Sequence, residues 1–112
     1  MINKPKVYVA GPYTNGNVMR NISRAVMEGN YLLARGFIPF VPHLTGFWDL
    51  LRGHDYEEWM RYDLEWLKSC DALLRMQGES SGADLEVQEA VRLGIPVFFN
   101  NSDLFEHFKG RS

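Results

Sequence analysis

The sequence predicts an α/β domain: a parallel sheet of four strands with helices on both faces. Three observations carry that expectation. Short β-rich runs alternate with helical stretches in the order β-α-β-α-β-α-β-α, the pattern of crossover connections rather than hairpins. The chain has 112 residues, 46% of them hydrophobic and 13% aromatic, which suits one small domain with a core of its own. Finally, the segments 11–17, 42–54 and 77–82 all follow predicted strands, so they emerge together at the carboxyl edge of the sheet.

The elements follow in order. Lys6-Val-Tyr-Val-Ala10 is a β-rich run ended by Gly11-Pro12. Residues 14–17 form a loop with a helix cap, after which Val18, Ile22, Ala25, Val26, Gly29, Leu32 and Leu33 fall on one helical stripe that Gly36 ends. Phe37 to Val41 reads as a second strand, and Pro39 predicts that it lies at an edge. Pro42 to His54 reads as a loop carrying Phe47 and Trp48. Asp55 starts a helix reaching about Ser69, with Glu58 at capping-box spacing. A strand over Asp71–Met76, a helix capped by Ser80 or Ser81 and running to Gly94, a strand over Ile95–Phe99 and a short helix capped by Ser102 complete the chain. Layered helix–sheet–helix, this is a Rossmann-like (flavodoxin-like) three-layer domain spanning residues 1–112.

Composition narrows the functions. A formal net charge of −2 gives no electrostatic case for nucleic acid or an anionic membrane, so any phosphate site must be local. The single cysteine, Cys70, excludes an intramolecular disulfide, fits a reducing compartment and reads as a buried structural thiol. With no signal peptide or membrane span visible, a cytoplasmic location is expected. His43, His54 and His107 lack metal-ligand spacing, so no metal is expected; His43 follows a strand end and is placed to line the cleft. Walker A, G-x-G-x-x-G and G-x-S-x-G patterns are absent, and no cofactor is implied.

Two carboxylates stand out. Glu86 lies one turn into the helix that follows Ser80-Ser81-Gly82, beside Gly82, Ala83 and Ala90 at helical spacing. Those small neighbours leave room for a ligand, and the helix start offers free backbone N–H groups to an anion. A capped helix with a dipole-compatible Glu is the plainer account of the same residues. Asp63 has only apolar helix neighbours, Trp59, Met60, Trp66 and Leu67, which desolvates its carboxyl and predicts a raised pKa. Its plainer account is an Asp at the edge of an apolar face, bonded to backbone. Tyr8 sits two residues before the end of the first strand, where its hydroxyl is either satisfied at the core's edge or holds Glu86. Phe47 and Trp48 stack on a base, meet a partner or fold back onto the domain. The Asp55–Ser69 helix carries two apolar stripes, Tyr56, Met60, Leu64, Leu67 and Trp59, Tyr62, Trp66. One faces the sheet; the other predicts self-association as a symmetric dimer or a tetramer.

Three segments together resemble the nucleoside 2-deoxyribosyltransferase superfamily, which includes the 2'-deoxynucleoside 5'-phosphate N-hydrolases. They are Tyr8-Val-Ala-Gly-Pro12, Asp63-Leu-Glu-Trp-Leu-Lys-Ser-Cys-Asp71 and Ser80-Ser-Gly-Ala-Asp-Leu-Glu86, in the superfamily's order and spacing. The resemblance implies Glu86 as nucleophile at an anomeric carbon, Asp63 assisting base departure or holding the sugar, and Tyr8 orienting Glu86. It implies Gly11, Pro12, Ser80, Ser81, Gly82, His43 and Trp48 around a nucleoside or nucleoside 5'-monophosphate. Ser80 takes the place where the nucleoside transferases carry an Asp and the nucleotide hydrolases a Ser, which tilts the expectation toward a phosphorylated substrate with Ser80, Ser81 and Gly82 near the phosphate, whereas the loop Gly11-Pro12-Tyr13-Thr14 lacks the basic residue the hydrolases carry. The competing expectations are a catalytically silent nucleotide-binding or sensor module and an interaction protein using its aromatic helix.

Overall fold

The computed structural model describes residues 4–109, in which four strands pair in parallel. These are β1 (Lys6–Ala10), β2 (Ile38–Phe40), β3 (Ala72–Arg75) and β4 (Val97–Phe98), in the order β2-β1-β3-β4. Tyr8 stands opposite Phe40 on one side and Leu73 on the other, and Leu73 stands opposite Val97. The helices are α1 (Val18–Ala34), α2 (Thr45–Leu51), α3 (Tyr56–Leu67), α4 (Ser81–Leu93) and α5 (Asn101–Phe108), with a 3-10 turn over Pro42–Leu44 before α2. No helix among the described residues is long and apolar enough to cross a membrane.

Alternation along the strands splits the core into two layers. Val7, Val9, Ala72 and Leu74 pack with Ala25 and Leu32 of α1 and Leu104 of α5. Tyr8, Ala10 and Leu73 point the other way, onto Leu67 of α3 and Ala83 and Ala90 of α4. Strands buried on both faces explain why the β1 and β3 runs read as continuously apolar. From β1 the chain moves outward to β2, then returns across β1 to build β3. Strand order therefore reverses between β1 and β3, where α/β sheets open a crevice.

Local signals set the boundaries. Asn17 caps α1 by accepting from the Arg20 N–H (2.9 Å), and Asp55 caps α3 by accepting from the Glu58 N–H (2.8 Å). Gly94 closes α4 in the left-handed conformation (φ 76°). Pro39 lies on the edge strand β2, where its missing N–H costs no central ladder bond.

Several expectations need correction. Pro42–His54 is not a plain loop but a 3-10 turn followed by α2. Pro42 starts the turn, Thr45 Oγ1 donates to the Pro42 carbonyl (2.7 Å), and Asp49 Oδ1 accepts from the His54 N–H (2.8 Å) to close the segment. The last helix is capped by Asn100, not Ser102; Asn100 is extended and accepts from the Asp103 N–H at 2.8 Å. On α1, Val18, Val26 and Leu33 are exposed, while Asn21 is buried in the stripe. Asn21 Nδ2 donates to the carbonyls of Tyr13 and Asn15 (2.9 Å each), tying the β1–α1 loop to the helix. The second stripe of α3 is partly covered within the chain. Trp48 of α2 meets Trp59 and Tyr62 edge-on, and Trp66 stacks on Phe40 with ring centroids 5.2 Å apart.

Candidate functional site

At the crevice between β1 and β3, a cavity of about 600 Å³ opens. Its floor comes from Gly11 after β1 and from the start of α4, and its walls from α3 and the 42–54 segment. Gly78 lets the two strand-end loops meet. Its φ is +122°, and a Cβ there would lie 2.6 Å from Pro12 Cγ, so a side chain would force the loops apart.

Tyr8, Asp63 and Glu86 come together although they lie on β1, α3 and α4. Tyr8 is fully buried and donates its hydroxyl to Glu86 Oε2. Glu86 is only 6% exposed, packed beside the buried Ala83 and Ala90. Burial pushes its pKa up to about 7, against the Tyr8 hydrogen bond and the charge of Arg75, which hold it down. Asp63 Oδ1 is buried without a hydrogen-bond partner. Burial, and then the neighbouring Glu86, push its pKa up to about 7 as well. The apolar neighbours of Asp63 predicted that direction; the coupling to Glu86 is a tertiary effect. Near neutral pH the two carboxyls together hold about one proton. Tyr8 itself is raised well above its ordinary value by burial and by Glu86, so it stays a donor.

Ser80 is the cap of α4, accepting from the Ala83 N–H at 3.1 Å. Ser81 and Gly82 form the first turn of α4 and line the cavity with Ser80 and Gly11. His43 lies in the wall, 4% exposed, with Nε2 3.0 Å from the Pro12 carbonyl and Nδ1 without a partner. Burial lowers its pKa, so the ring is neutral. With Nε2–H donating to Pro12, Nδ1 is left as an acceptor. Of the residues expected around the substrate, two fall outside the lining. Pro12 contributes its carbonyl to His43 and its ring to Gly78. Trp48 buttresses the wall from behind, against Trp59, whose Nε1 donates to Asp49 Oδ1 at 2.7 Å.

Sequence reasoning missed Arg75, Asp49 and Tyr13. Arg75 is buried at the end of β3 and bonds the carbonyls of Met76 and Gly78 and the carboxylate of Asp84. A cation closing an otherwise apolar strand was its visible signal. Tyr13 and Asp49 both line the cavity, and Tyr13 packs against Gly46 of α2, where a Cβ would lie 2.1 Å from the Tyr13 hydroxyl. Cys70 is a buried thiol near the Trp66 carbonyl (3.5 Å), raised by burial to about 11. Among the described residues, no group of three or more His, Cys, Asp or Glu side chains is placed to hold a metal ion.

Known proteins can be set beside this geometry. A solved structure of a 2-deoxyribosyltransferase from the psychrotolerant bacterium Bacillus psychrosaccharolyticus is similar over 82% of this chain and 69% of that chain, with a TM-score of 0.63 and 24% identity. The likeness is one of fold, and it bears out the small α/β domain with a parallel sheet. No curated protein matches the sequence. The family described as Domain of unknown function (DUF7768) matches residues 5–100. Since that match runs from the residue before β1 to the cap of α5, the chain belongs to the DUF7768 family.

Proposed function

We propose that this domain cleaves or transfers at the N-glycosidic bond of a nucleoside, with Glu86 as the nucleophile. The observation that carries the reading is a pair of carboxyls, the buried Glu86 and Asp63 with its buried Oδ1, facing one cavity with a single tyrosine hydroxyl bonded to Glu86. An ionised Glu86 oxygen attacks the anomeric carbon as the carbon–nitrogen bond to the base breaks. Protonated Asp63 gives its proton to the departing base nitrogen. The resulting glycosyl ester is opened at the same carbon by water, giving hydrolysis, or by a second base, giving transfer; Asp63 takes back the proton. Two carboxyls that share one proton near neutral pH are suited to these opposite roles. Tyr8 keeps Glu86 oriented throughout.

The charge of the cavity supports an uncharged nucleoside over its 5'-monophosphate. No Lys or Arg lines it among the described residues, whereas Asp49, Asp63 and Glu86 do. Of the two histidines in the lining, His43 is kept neutral by burial, and His54 Nδ1 lies 3.1 Å from Glu58 Oε2. Ser80, Ser81 and Gly82 offer the start of α4, a weaker anchor for a dianion than a guanidinium. A panel of deoxynucleosides and their 5'-monophosphates, with and without an acceptor base, tests the reading. Free base without acceptor marks a hydrolase, base exchange a transferase, and faster turnover of the nucleoside than of its phosphate is expected. The deep burial of Glu86 favours a second reading, a binding module without turnover. A ligand-induced thermal shift with no base released would select it; neither shift nor turnover would sink both.

Self-association belongs to the same proposal. Trp48 covers part of the α3 stripe, but Leu44, Phe47, Leu50 and Leu51 of the 42–54 segment stand exposed, and α2 buries none of its side chains. A symmetric dimer or tetramer through this surface is expected. Leu50→Glu should dissociate it in sedimentation, and a monomer at micromolar concentration for the unaltered chain would refute it.

A further inference from the structure

We propose that α2 is a cover on the cavity, pinned shut at two points by the Asp49 carboxylate and the Tyr13 ring, and that ligand enters and leaves by its opening. That the ligand is a nucleoside rests on the reading above; the cover itself does not.

α2 stands between the cavity and solvent. Thr45, Gly46 and Asp49 line the cavity, while Phe47, Leu50 and Leu51 of the same helix stand exposed. The helix has seven residues and buries none of their side chains, so no core packing fixes it. A segment held only by surface contacts and a few hydrogen bonds belongs to the least stable part of a structure, from which lids are drawn.

The first pin is Asp49. Its Oδ1 accepts from the Trp59 indole Nε1 at 2.7 Å and from the His54 N–H at 2.8 Å. The Trp59 bond, and then the His54 bond, hold its carboxyl below the ordinary pKa, so it stays an anion and a strong acceptor. Trp59 lies on α3, which Leu67 anchors in the core, so this pin ties the cover to the fixed frame of the domain. Trp48 meets Trp59 and Tyr62 edge-on at the same place.

The second pin is Tyr13, in the loop between β1 and α1. Its carbonyl and that of Asn15 accept from Asn21 Nδ2, and Asn15 Nδ2 donates to the Glu79 carbonyl at 2.9 Å, so the loop that carries it is fixed. The ring lies against Gly46. A Cβ there would stand 2.1 Å from the hydroxyl and 3.0 Å from Cζ, so a side chain at 46 would unseat it. The same ring meets His43 edge-on, with centroids 6.1 Å apart. Gly46 and Asp49 are about one turn apart on α2, yet they are tied to different parts of the fold. Releasing either pin leaves the helix held by the other alone, so the two must open together.

The test reads one pin while breaking the other. Solvent exchange of the Trp59 Nε1–H is followed by NMR in the full chain, unaltered at Tyr13 and Gly46 and then as Tyr13→Ala and Gly46→Ala, neither of which touches Asp49 or Trp59. Every arm carries Leu50→Glu, which frees the outer face of α2 from the self-association proposed above. Both variants should speed the exchange by roughly 3–10-fold, the scale of one aromatic contact, while the amides of β1 keep their rates. Asp49→Ala should speed it further, and Asp49→Asn less than Asp49→Ala, because the carboxamide oxygen still accepts from the indole. An unchanged Trp59 rate in both Tyr13→Ala and Gly46→Ala would overturn the cover, as would an equal acceleration of the β1 amides, which marks global unfolding. A ligand arm uses 2'-deoxyadenosine and 2'-deoxycytidine with Glu86→Ala, so that no turnover intervenes. A nucleoside that binds, as read by thermal shift, should slow the exchange; binding with no slowing would overturn the cover's part in ligand passage. Absence of binding by either nucleoside would count against the nucleoside reading instead, and the two pin variants would still judge the cover.

Discussion

Glu86→Ala is expected to abolish glycosidic-bond cleavage, with a loss of ~10⁴-fold or more, as for removal of a covalent nucleophile. The fold should survive. Alanine removes a carboxylate whose burial disfavours its charged form, which offsets the loss of the hydrogen bond from Tyr8. Glu89 is the control on the same helix. It is partly exposed and is held by the Arg92 guanidinium (Nε to Oε2, 3.1 Å), which keeps its pKa below the ordinary value. Glu89→Ala should leave turnover within about twofold, the behaviour of a surface pair. Steady-state release of free base, together with circular dichroism for the fold, checks both variants. Equal losses at Glu86 and Glu89 would remove Glu86 from the chemistry.

Asp63→Asn should lower kcat by ~10²–10³-fold, the usual contribution of a general acid, and change the pH profile in a defined way. The unaltered protein needs Glu86 ionised and Asp63 protonated. Since both titrate near 7, the profile should be a narrow bell centred near neutrality. Asparagine cannot lose a proton, so the alkaline limb should disappear while the acidic limb stays. Stability should move in the opposite sense to activity. Asp63 has a folded pKa above its ordinary value, so the native state binds more protons than the unfolded state between those two values. Unfolding free energy therefore falls as pH rises through that window. Asp63→Asn removes this penalty and should stabilise the protein at pH 8 by at most ~4 kcal/mol, less what solvent screens at this partly exposed carboxyl, with little gain at pH 4. Denaturant unfolding at the two pH values measures it. A variant less stable at pH 8 than the unaltered chain would show that Asp63 is satisfied rather than strained by its surroundings.

Much of the architecture was legible because it rests on local rules. The β-α alternation, the edge position of the strand holding Pro39, a cap within residues 14–17, the cap at Asp55 and a serine cap at 80 or 81 each depend on a few adjacent residues. Tyr8, Asp63 and Glu86 were singled out because motif spacing and helical neighbours pointed to them, and they do meet in space. The 42–54 segment was misread for a local reason as well. Its helix is only seven residues long and contains Gly46, so the apolar period of Leu44, Phe47, Trp48 and Leu51 spans too little chain to stand out as a helix, and Asp49 holds it to Trp59 from a distance.

What the sequence by itself determined was the alternation of strands and longer helices, several of their caps and the residues singled out as candidates for chemistry. The tertiary structure alone decided how those residues act on one another. Glu86 raises the pKa of Asp63 only because α3 and α4 stand side by side on one face of the sheet. Arg75 bonds Asp84 only because β3 ends where α4 begins its first turn. Trp48 supports the cavity wall rather than lining it because α2 presents its ring to Trp59 and Tyr62. Caps and periodicity depend on residues within a turn or two along the chain, whereas desolvation and Coulomb interactions depend on distance in space, which is set only when strands β1 and β3 pair.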